Sequence, residues 1–306
     1  MKKSIFRALA FLFSLLLILQ AISVNMHSKN TGAEYPAPYE LTRTVDCLSG
    51  IYPKNDREIR IMSYNLLSDS AGFDGSPAYM RSEGVSYILN TLAPDVAGIQ
   101  ETSRNWFYCL NKTTDYAFIA PVRTTVYGTM TTIIYNTKNL ILKNYGEYSF
   151  KNSYNHKLRC TVWGLFYHKS TDKVFAVVNT HFSLSERDYR APMTQATELL
   201  NLAEKISNTY NCTVFFTGDF NAGERRDENT IASSVYETLC TSFTDTKELA
   251  LTKSSGENLS VHSACIDHIF LKGDAQIRRY VILSQNELSP LSDHYPVFVD
   301  FLFQNC

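Results

Sequence analysis

The sequence lacks three features: a close pair of cysteines, an excess of positive charge and an internal repeat. Its seven cysteines are scattered along 306 residues, so none has the short spacing that structural zinc sites require. Lysine and arginine number 29 against 30 acidic residues. This balance argues against a broad basic surface for tight, non-specific nucleic-acid binding, and it disfavours a nuclease without excluding one.

The amino terminus does contain one long apolar segment. An apolar stretch at residues 8–22 is preceded by three basic residues, Lys2, Lys3 and Arg7. This arrangement is typical of a secretory signal peptide. The stretch is almost as long as the roughly 20 residues that span a bilayer, so an uncleaved anchor is the alternative. We therefore predict a signal peptide or anchor at residues 1–23 and a secreted or extracytoplasmic protein.

The remainder divides into a lead-in and one domain. Removing residues 1–23 takes away three positive charges and no acids, so the formal net charge changes from −1 to −4. Residues 24–57 are polar and turn-rich, without sustained periodicity, and are predicted to be a tether. The motifs described next occupy nearly all of residues 58–306, which favours a single domain there.

Four polar clusters each follow an apolar run that reads as a strand, and a fifth stands just before such a run. They are Ser63-Tyr64-Asn65, Gln100-Glu101, Asn179-Thr180-His181, Gly218-Asp219-Phe220-Asn221 and Asp293-His294, the last standing just before a further apolar run. Helical spacing is found mainly in two places, near residues 77–92 and 193–206, and the middle of the chain is rich in strand-forming residues. Five polar clusters at strand ends predict one shared site.

The ordered clusters, with Ile266-Asp267-His268-Ile269-Phe270 before the last of them, resemble the endonuclease/exonuclease/phosphatase superfamily of DNase I-like phosphohydrolases. The resemblance covers roughly residues 58–306. It implies an α/β (α+β) fold, a four-layer αββα sandwich of two stacked mixed β-sheets flanked by helices. It also implies hydrolysis of a phosphate ester with Mg²⁺, for which Mn²⁺ or Ca²⁺ could substitute.

Three residues are candidates for the metal site. Hard oxygen ligands suit Mg²⁺, which binds a few carboxylates and keeps several waters. Glu101 closes a strand that reads as buried and is the first candidate ligand. Asn65 would support that ligand and the water, and Asp293 would be a further ligand to the metal or to a metal-bound water.

Asp219 and Asn221 are candidates for handling the water and the phosphate. They alternate around Phe220, so an extended backbone would point both side chains the same way. By resemblance, Asp219 positions or deprotonates the attacking water and Asn221 contacts a phosphoryl oxygen.

Two histidines are expected to donate to the charge that develops on the phosphoryl group. These are His181 and His294, and Asp267 is the expected partner that fixes the imidazole of His294. His268 points to the opposite face of its strand from Asp267, so a packing or surface role is predicted for it. Arg159 resembles an arginine found in some exported family members and is a candidate for contact with the substrate.

The substrate stays open between several classes. Residues 218–223 resemble secreted DNases, whereas residues 62–67 resemble phosphatases and sphingomyelinases. A phosphodiesterase or nuclease is the leading prediction. A phosphomonoesterase or a lipid phosphodiesterase is the alternative, and a catalytically silent binding protein is the alternative from another class. Nucleic acid, phospholipid or a small phosphate ester would be the partner. No stable protein partner is predicted, and membrane contact is expected only if residues 1–23 are retained.

The cysteines permit up to three disulfides, with one left over, in an exported chain. In the resembled fold the first and last strands run side by side in opposite directions. The resemblance therefore implies Cys47–Cys306 as the leading pair.

Overall fold

Two β-sheets stacked face to face carry the strands of the chain. The structure, a computed structural model, describes residues 38–68, 77–120, 130–151, 159–184, 190–223, 231–255 and 265–304. Within these ranges one sheet has seven strands and the other has six.

The helices are α1 (Pro38–Ile51), α2 (Ala78–Leu92), α3 (Arg104–Thr113), α4 (Arg190–Tyr210), α5 (Ile231–Cys240) and α6 (Thr246–Leu249), with a 3₁₀ turn at Asn286–Leu288. The strands are β1 (Ile59–Asn65), β2 (Val96–Thr102), β3 (Ala117–Ile119), β4 (Met130–Tyr135), β5 (Leu140–Ser149), β6 (Cys160–His168), β7 (Lys173–His181), β8 (Thr213–Asp219), β9 (Thr244–Asp245), β10 (Thr252–Ser255), β11 (Asp267–Lys272), β12 (Gln276–Ile282) and β13 (Val297–Leu302).

The seven-stranded sheet has the order β10-β12-β13-β1-β2-β4-β3. Its central strand β1 pairs in parallel with β2 and antiparallel with β13. The six-stranded sheet has the order β5-β6-β7-β8-β11-β9, in which β7 and β8 are parallel and β11 runs antiparallel to β8. Each sheet thus has a parallel pair at its centre, and the carboxyl ends of a parallel pair meet at one edge.

Three apolar clusters hold the layers together. One lies between the sheets and includes Ile61, Phe215 and Phe301. The second packs α1, α2 and α3 against the seven-stranded sheet, and the third packs α4 and α5 against the six-stranded sheet. Because each sheet buries both faces, the layers are helix, sheet, sheet, helix, and the predicted αββα sandwich is confirmed.

Helix α1 corrects part of the expected lead-in. Within residues 24–57, which were predicted to be an irregular tether, Pro38–Ile51 is helical. Leu41 and Val45 enter the core beneath it, and Tyr52 packs against the same cluster. Two apolar anchors one turn apart are enough to dock a helix whose remaining face is polar, and a stripe that narrow is easily missed in a sequence.

The ends of the chain leave two predictions untested. Residues 1–37 and Cys306 lie outside the described residues, so export and the Cys47–Cys306 bond stay predictions. The six described cysteines form no disulfide with one another. No helix in the described ranges is both long and apolar enough to span a membrane.

Candidate active site

The polar clusters predicted at the strand ends lie at one edge of the two sheets. Asn65 ends β1, Glu101 lies near the end of the neighbouring parallel strand β2, and His181 and Asp219 end the parallel pair β7 and β8. Asp267 begins β11 and stands opposite Asp219 in the antiparallel register. Both parallel pairs therefore deliver polar side chains to the same edge.

A buried amide network forms the floor beneath this edge. Asn179 Nδ2 donates to the carbonyl oxygens of Ile99 and Thr132, each at 2.9 Å. Asn179 Oδ1 accepts from Gln100 Nε2 at 2.7 Å and from the Thr217 hydroxyl at 3.2 Å. These contacts join the two sheets, so Asn179 and Gln100 support the site from below.

Gly98 allows the sheets to approach closely at this floor. A Cβ atom at Gly98 would lie 1.9 Å from Thr217 Oγ1 and 2.6 Å from Asn179 Oδ1. No side chain fits there, so a direct contact between the sheets fixes the spacing of the strand ends.

Asp219 is the centre of the cluster. Its Oδ2 atom accepts from Asn65 Nδ2 at 3.0 Å, lies 3.3 Å from His181 Nε2 and lies 3.8 Å from His294 Nε2. Burial raises the pKa of Asp219 to about 6, with the charge of His294 opposing the rise and that of Asp267 adding to it. A carboxylate with that pKa is ionised at neutral pH and is suited to accept a proton.

His294 is held by Asp267. The distance from His294 Nδ1 to Asp267 Oδ2 is 2.6 Å, and the backbone N–H of His294 donates to the Ser292 hydroxyl at 3.2 Å. Burial acts to lower the pKa of His294, but the carboxylates of Asp267, Asp219 and Asp293 outweigh it and raise the value to about 10. The imidazole is therefore a cation at neutral pH and a hydrogen-bond donor.

Glu101 occupies a strained backbone position. Its φ is 58°, and the pairing of β2 with β4 shifts register between Ile99 and Thr102, which marks a β-bulge. Left-handed backbone in a residue other than glycine is uncommon and concentrates at functional sites. Glu101 Oε2 accepts from Ser68 N at 2.8 Å, and Oε1 lies 3.5 Å from Asn65 Nδ2.

Asn221 does not follow the predicted extended geometry. Strand β8 ends at Asp219 and Asn221 has a φ of 48°, so the expected alternation around Phe220 is wrong. The backbone N–H of Asn221 donates to Asp219 Oδ1 at 2.9 Å, and its Nδ2 donates to the Phe182 carbonyl at 2.9 Å. The left-handed backbone at Asn221 thus keeps this residue in contact with Asp219.

Arg159 and Asp293 complete the predicted set. Arg159 is partly buried just ahead of β6; burial lowers its pKa, while the negative charges of Asp219 and Glu101 act in the opposite direction. Asp293 Oδ1 lies 4.0 Å from His294 Nε2. Both residues are therefore electrostatically part of the cluster.

His268 is separate from it. Its Nδ1 lies 2.9 Å from Asp245 Oδ2, and its Nε2 donates to the carbonyl oxygens of Ala222 and Cys265 at 3.0 and 3.1 Å. Its side chain is about 1% exposed. The imidazole is enclosed on the opposite face of β11, in agreement with a packing role rather than a surface one.

The donors at the edge suit a hard divalent cation. Within the described ranges, one group of three residues has potential donor atoms within 4.8 Å of one another: Asp219, Asp267 and His294. A protonated His294 cannot bind a cation, so the two carboxylates are the ligands that this group offers. Asp267 Oδ2 is hydrogen-bonded to His294 Nδ1, whereas the buried Oδ1 atom of Asp267 has no hydrogen-bond partner among the described residues. Glu101 and Asp293 add partly exposed carboxylates, so an oxygen-rich donor set is present.

Ser68 and Ser292 were missed in the sequence. Ser68 supplies the N–H that holds Glu101, and the Ser292 hydroxyl donates to the Asn65 carbonyl at 2.7 Å. Each lies within three residues of a predicted cluster. A short polar residue beside such a cluster was the available signal.

The fold and the cluster together define a phosphoesterase-like scaffold, and the family can now be given. The model of the Endonuclease/Exonuclease/phosphatase family matches residues 62–294. This match spans most of the chain, and the chain belongs to that family. A search of curated proteins finds no match.

Solved structures show the same fold. A mannosyl-6-phosphatase from Bacteroides thetaiotaomicron is 21% identical with a TM-score of 0.69, covering 80% of this chain and 100% of its own. A further family protein from that organism has the same identity and TM-score, covering 81% and 99%. The human Nocturnin catalytic domain, with bound sulfate, is 18% identical with a TM-score of 0.65, covering 81% and 95%. At these identities the likeness is one of fold.

Proposed function

We propose that this protein is an exported phosphohydrolase that cleaves a phosphate ester by in-line attack of water, with a bound divalent cation, most simply Mg²⁺. The observation that carries the proposal is Asp219, a buried carboxylate flanked by two imidazoles and an amide. A base that can accept a proton from water, with a cationic donor 3.8 Å away, fits the general-base hydrolysis of a phosphate ester.

Each residue of the cluster has a role in the proposed reaction. Asp219 takes a proton from the attacking water. Protonated His294, oriented by Asp267, donates to a phosphoryl oxygen as negative charge develops there, and His181 donates from the other side of Asp219. Arg159 binds the phosphate through its positive charge, and Asn221 is expected to contact a phosphoryl oxygen.

Glu101 and Asp293 would hold the cation, with Asn65 orienting Glu101 and Asp219. When bound, the cation supplies positive charge to the phosphoryl oxygens and lowers the pKa of a bound water. The carboxylates around the site leave it short of positive charge without the cation, and this shortage supports the metal requirement.

A phosphodiester, including nucleic acid, is the leading substrate because residues 218–223 resemble secreted DNases. A phosphomonoester is the second candidate. It is supported by the mannosyl-6-phosphatase, which shares this fold, and by the balance of charge in the chain, which does not favour a long polyanion.

A substrate panel tests the proposal. Plasmid DNA, RNA, sphingomyelin, inositol phosphates and mannose 6-phosphate are each incubated with Mg²⁺, Mn²⁺ or Ca²⁺, and again with a chelator. We expect cleavage of at least one substrate that the chelator abolishes and added metal restores. Asp219→Asn is the matched inactive control. Binding without turnover across the panel would instead support the silent binding protein.

Export is tested separately, by expressing the full chain in a secreting host and determining the amino terminus of the product. Cleavage near Ser23 with release to the medium supports a signal peptide. An intact amino terminus in the membrane fraction supports an anchor, and intact protein in the cytosol contradicts export.

A further inference from the structure

We propose that Arg81 is a positioning residue that sets the distance between two segments of the active site. These are the segment that follows β1, at residues 65–68, and the segment that precedes β13, at residues 291–294. This inference rests on the function proposed above, because it assigns Arg81 a role in that site.

The guanidinium of Arg81 bridges the two segments directly. Arg81 lies in the first turn of α2 and is about 1% exposed. Its Nη1 atom donates to the carbonyl oxygens of Leu66 and Leu291, the latter at 2.8 Å, and its Nη2 atom donates to the Leu67 carbonyl at 2.6 Å. A guanidinium is planar and its donors are rigidly spaced. Three carbonyls bonded to it are therefore held at fixed positions relative to one another.

On one side, the bridge controls Glu101. Leu67 has a φ of 55°, and the next residue, Ser68, donates its N–H to Glu101 Oε2 at 2.8 Å. The two carbonyls that Arg81 holds immediately precede that N–H. A shift of Leu66 and Leu67 would move the donor away from the carboxylate.

On the other side, the bridge controls the histidine. Leu291 is followed by Ser292, whose hydroxyl donates to the Asn65 carbonyl at 2.7 Å and accepts from the backbone N–H of His294 at 3.2 Å. Arg81 therefore holds the carbonyl of the residue before Ser292, and Ser292 in turn bonds to both Asn65 and His294.

Neighbouring residues hold the guanidinium in this orientation. Its central carbon lies 4.8 Å from the centre of the Trp106 ring, and Trp106 Nε1 donates to the same Leu67 carbonyl at 3.0 Å. At Gly84, one turn along α2, an added Cβ would lie 2.7 Å from a methyl of Leu291. Helix α2 and the segment at residues 291–294 are thus in close contact. A lysine at position 81 has no planar fork, so it could not bond to the three carbonyls in the same way.

The test compares Arg81→Lys with a matched control, Arg60→Lys. Arg60 is also a buried arginine, about 2% exposed, and binds Asp300 through two nitrogens at 2.7 and 2.8 Å. It lies near the start of β1, about 16 Å along the strand from Asn65. Both variants remove a guanidinium fork, one from helix α2 beside the site and one from β1 away from it.

Three quantities are measured: Mn²⁺ affinity, from the electron paramagnetic resonance signal of the free ion; kcat and KM; and the urea midpoint of unfolding. For Arg81→Lys we expect Mn²⁺ affinity and kcat each to fall about tenfold or more, with a smaller change in KM. Arg60→Lys should lose stability while binding Mn²⁺ like the wild type. Equal losses of Mn²⁺ affinity in both variants, or none in Arg81→Lys, overturn the proposal.

Trp106→Phe keeps a ring against Arg81 but removes the N–H to Leu67. Trp106→Phe should weaken Mn²⁺ binding a few-fold. If Arg81→Lys does not fold, this variant tests the proposal in its place, and an unchanged Mn²⁺ affinity in Trp106→Phe overturns it. A wild-type protein that binds Mn²⁺ but hydrolyses no substrate contradicts the proposed function alone. One that binds no Mn²⁺ contradicts both.

Discussion

Two histidine–aspartate pairs lie on opposite faces of the same strand, β11. Asp267 contacts His294 at 2.6 Å, and the next residue, His268, contacts Asp245 at 2.9 Å. The pairs differ at the second imidazole nitrogen. His294 Nε2 faces the carboxylates of Asp219 and Asp293, whereas His268 Nε2 is held by two backbone carbonyls.

This difference separates a chemical role from a structural one. An imidazole whose second nitrogen faces other carboxylates can give a proton or hydrogen bond to a substrate that arrives between them. An imidazole held at both nitrogens is a fixed cross-link. His294 and His268 are each paired with an aspartate, yet replacing them is predicted to have opposite consequences.

The largest expected effect comes from His294→Ala. Removing the donor should lower kcat by about 100-fold or more, because the lost interaction is made mainly in the transition state. Steady-state kinetics on the best substrate of the panel measures the loss, and circular dichroism checks folding. A folded variant with wild-type turnover would remove His294 from the mechanism.

His268→Ala should give the reverse pattern. It leaves Asp245 and two carbonyls in the interior without their partner, so we expect a loss of about 2 kcal/mol in the free energy of unfolding. Urea denaturation measures this loss, and kcat per folded molecule should stay close to wild type. If turnover disappears while the urea midpoint does not move, the roles assigned to the two histidines are exchanged.

Asp267→Asn sharpens the comparison within the Asp267–His294 pair. The amide keeps the shape of the side chain but removes the charge that raises the pKa of His294. We expect kcat to fall about tenfold with little change in KM. Asp245→Asn is the matched control for the other pair, and it should alter stability rather than kcat. Equal kinetic losses in both variants would contradict the distinction between the faces.

The smallest effect concerns a third histidine, His168, which is bonded to the Thr171 hydroxyl rather than to a carboxylate. Burial lowers the pKa of His168, so below its ordinary value near 6.5 the unfolded chain binds the proton more readily than the folded one. Its contribution therefore makes stability fall as pH drops through that range. Urea midpoints between pH 5.5 and 7.5 should show a shallower dependence in His168→Gln, and an unchanged slope would contradict the prediction.

The placement of the polar clusters could be predicted because each stands at one end of an apolar run. Strand periodicity fixes where a run ends, and parallel neighbours bring their ends to one edge, as Asn65 and Glu101 show. The turn after Asp219 could not be predicted in this way. Periodicity carries no signal that the strand stops there, and a left-handed Asn221 depends on hydrogen bonds to Asp219 and Phe182 that only the folded chain supplies.

Arg81 and the β-bulge at Glu101 show two further limits of what could be predicted from the sequence. Arg81 falls between Ala78 and Val85 on the buried face of α2, and a charge on an apolar helical stripe was a signal that could have been used. Its partners are backbone carbonyls, which no residue pattern reveals. The backbone of Glu101 depends on the register of β4 against β2, a contact between distant parts of the chain.

The central place of β1, between β2 and β13, makes the site depend on a strand far along the chain. Asn65, Glu101 and Asp219 all precede residue 220 in the chain, whereas His294 stands just before β13. Until β13 pairs with β1, the imidazole of His294 is missing from the cluster. A chain truncated before residue 291 would hold most of the acids of the site, yet it would lack the imidazole donor that the proposed hydrolysis requires.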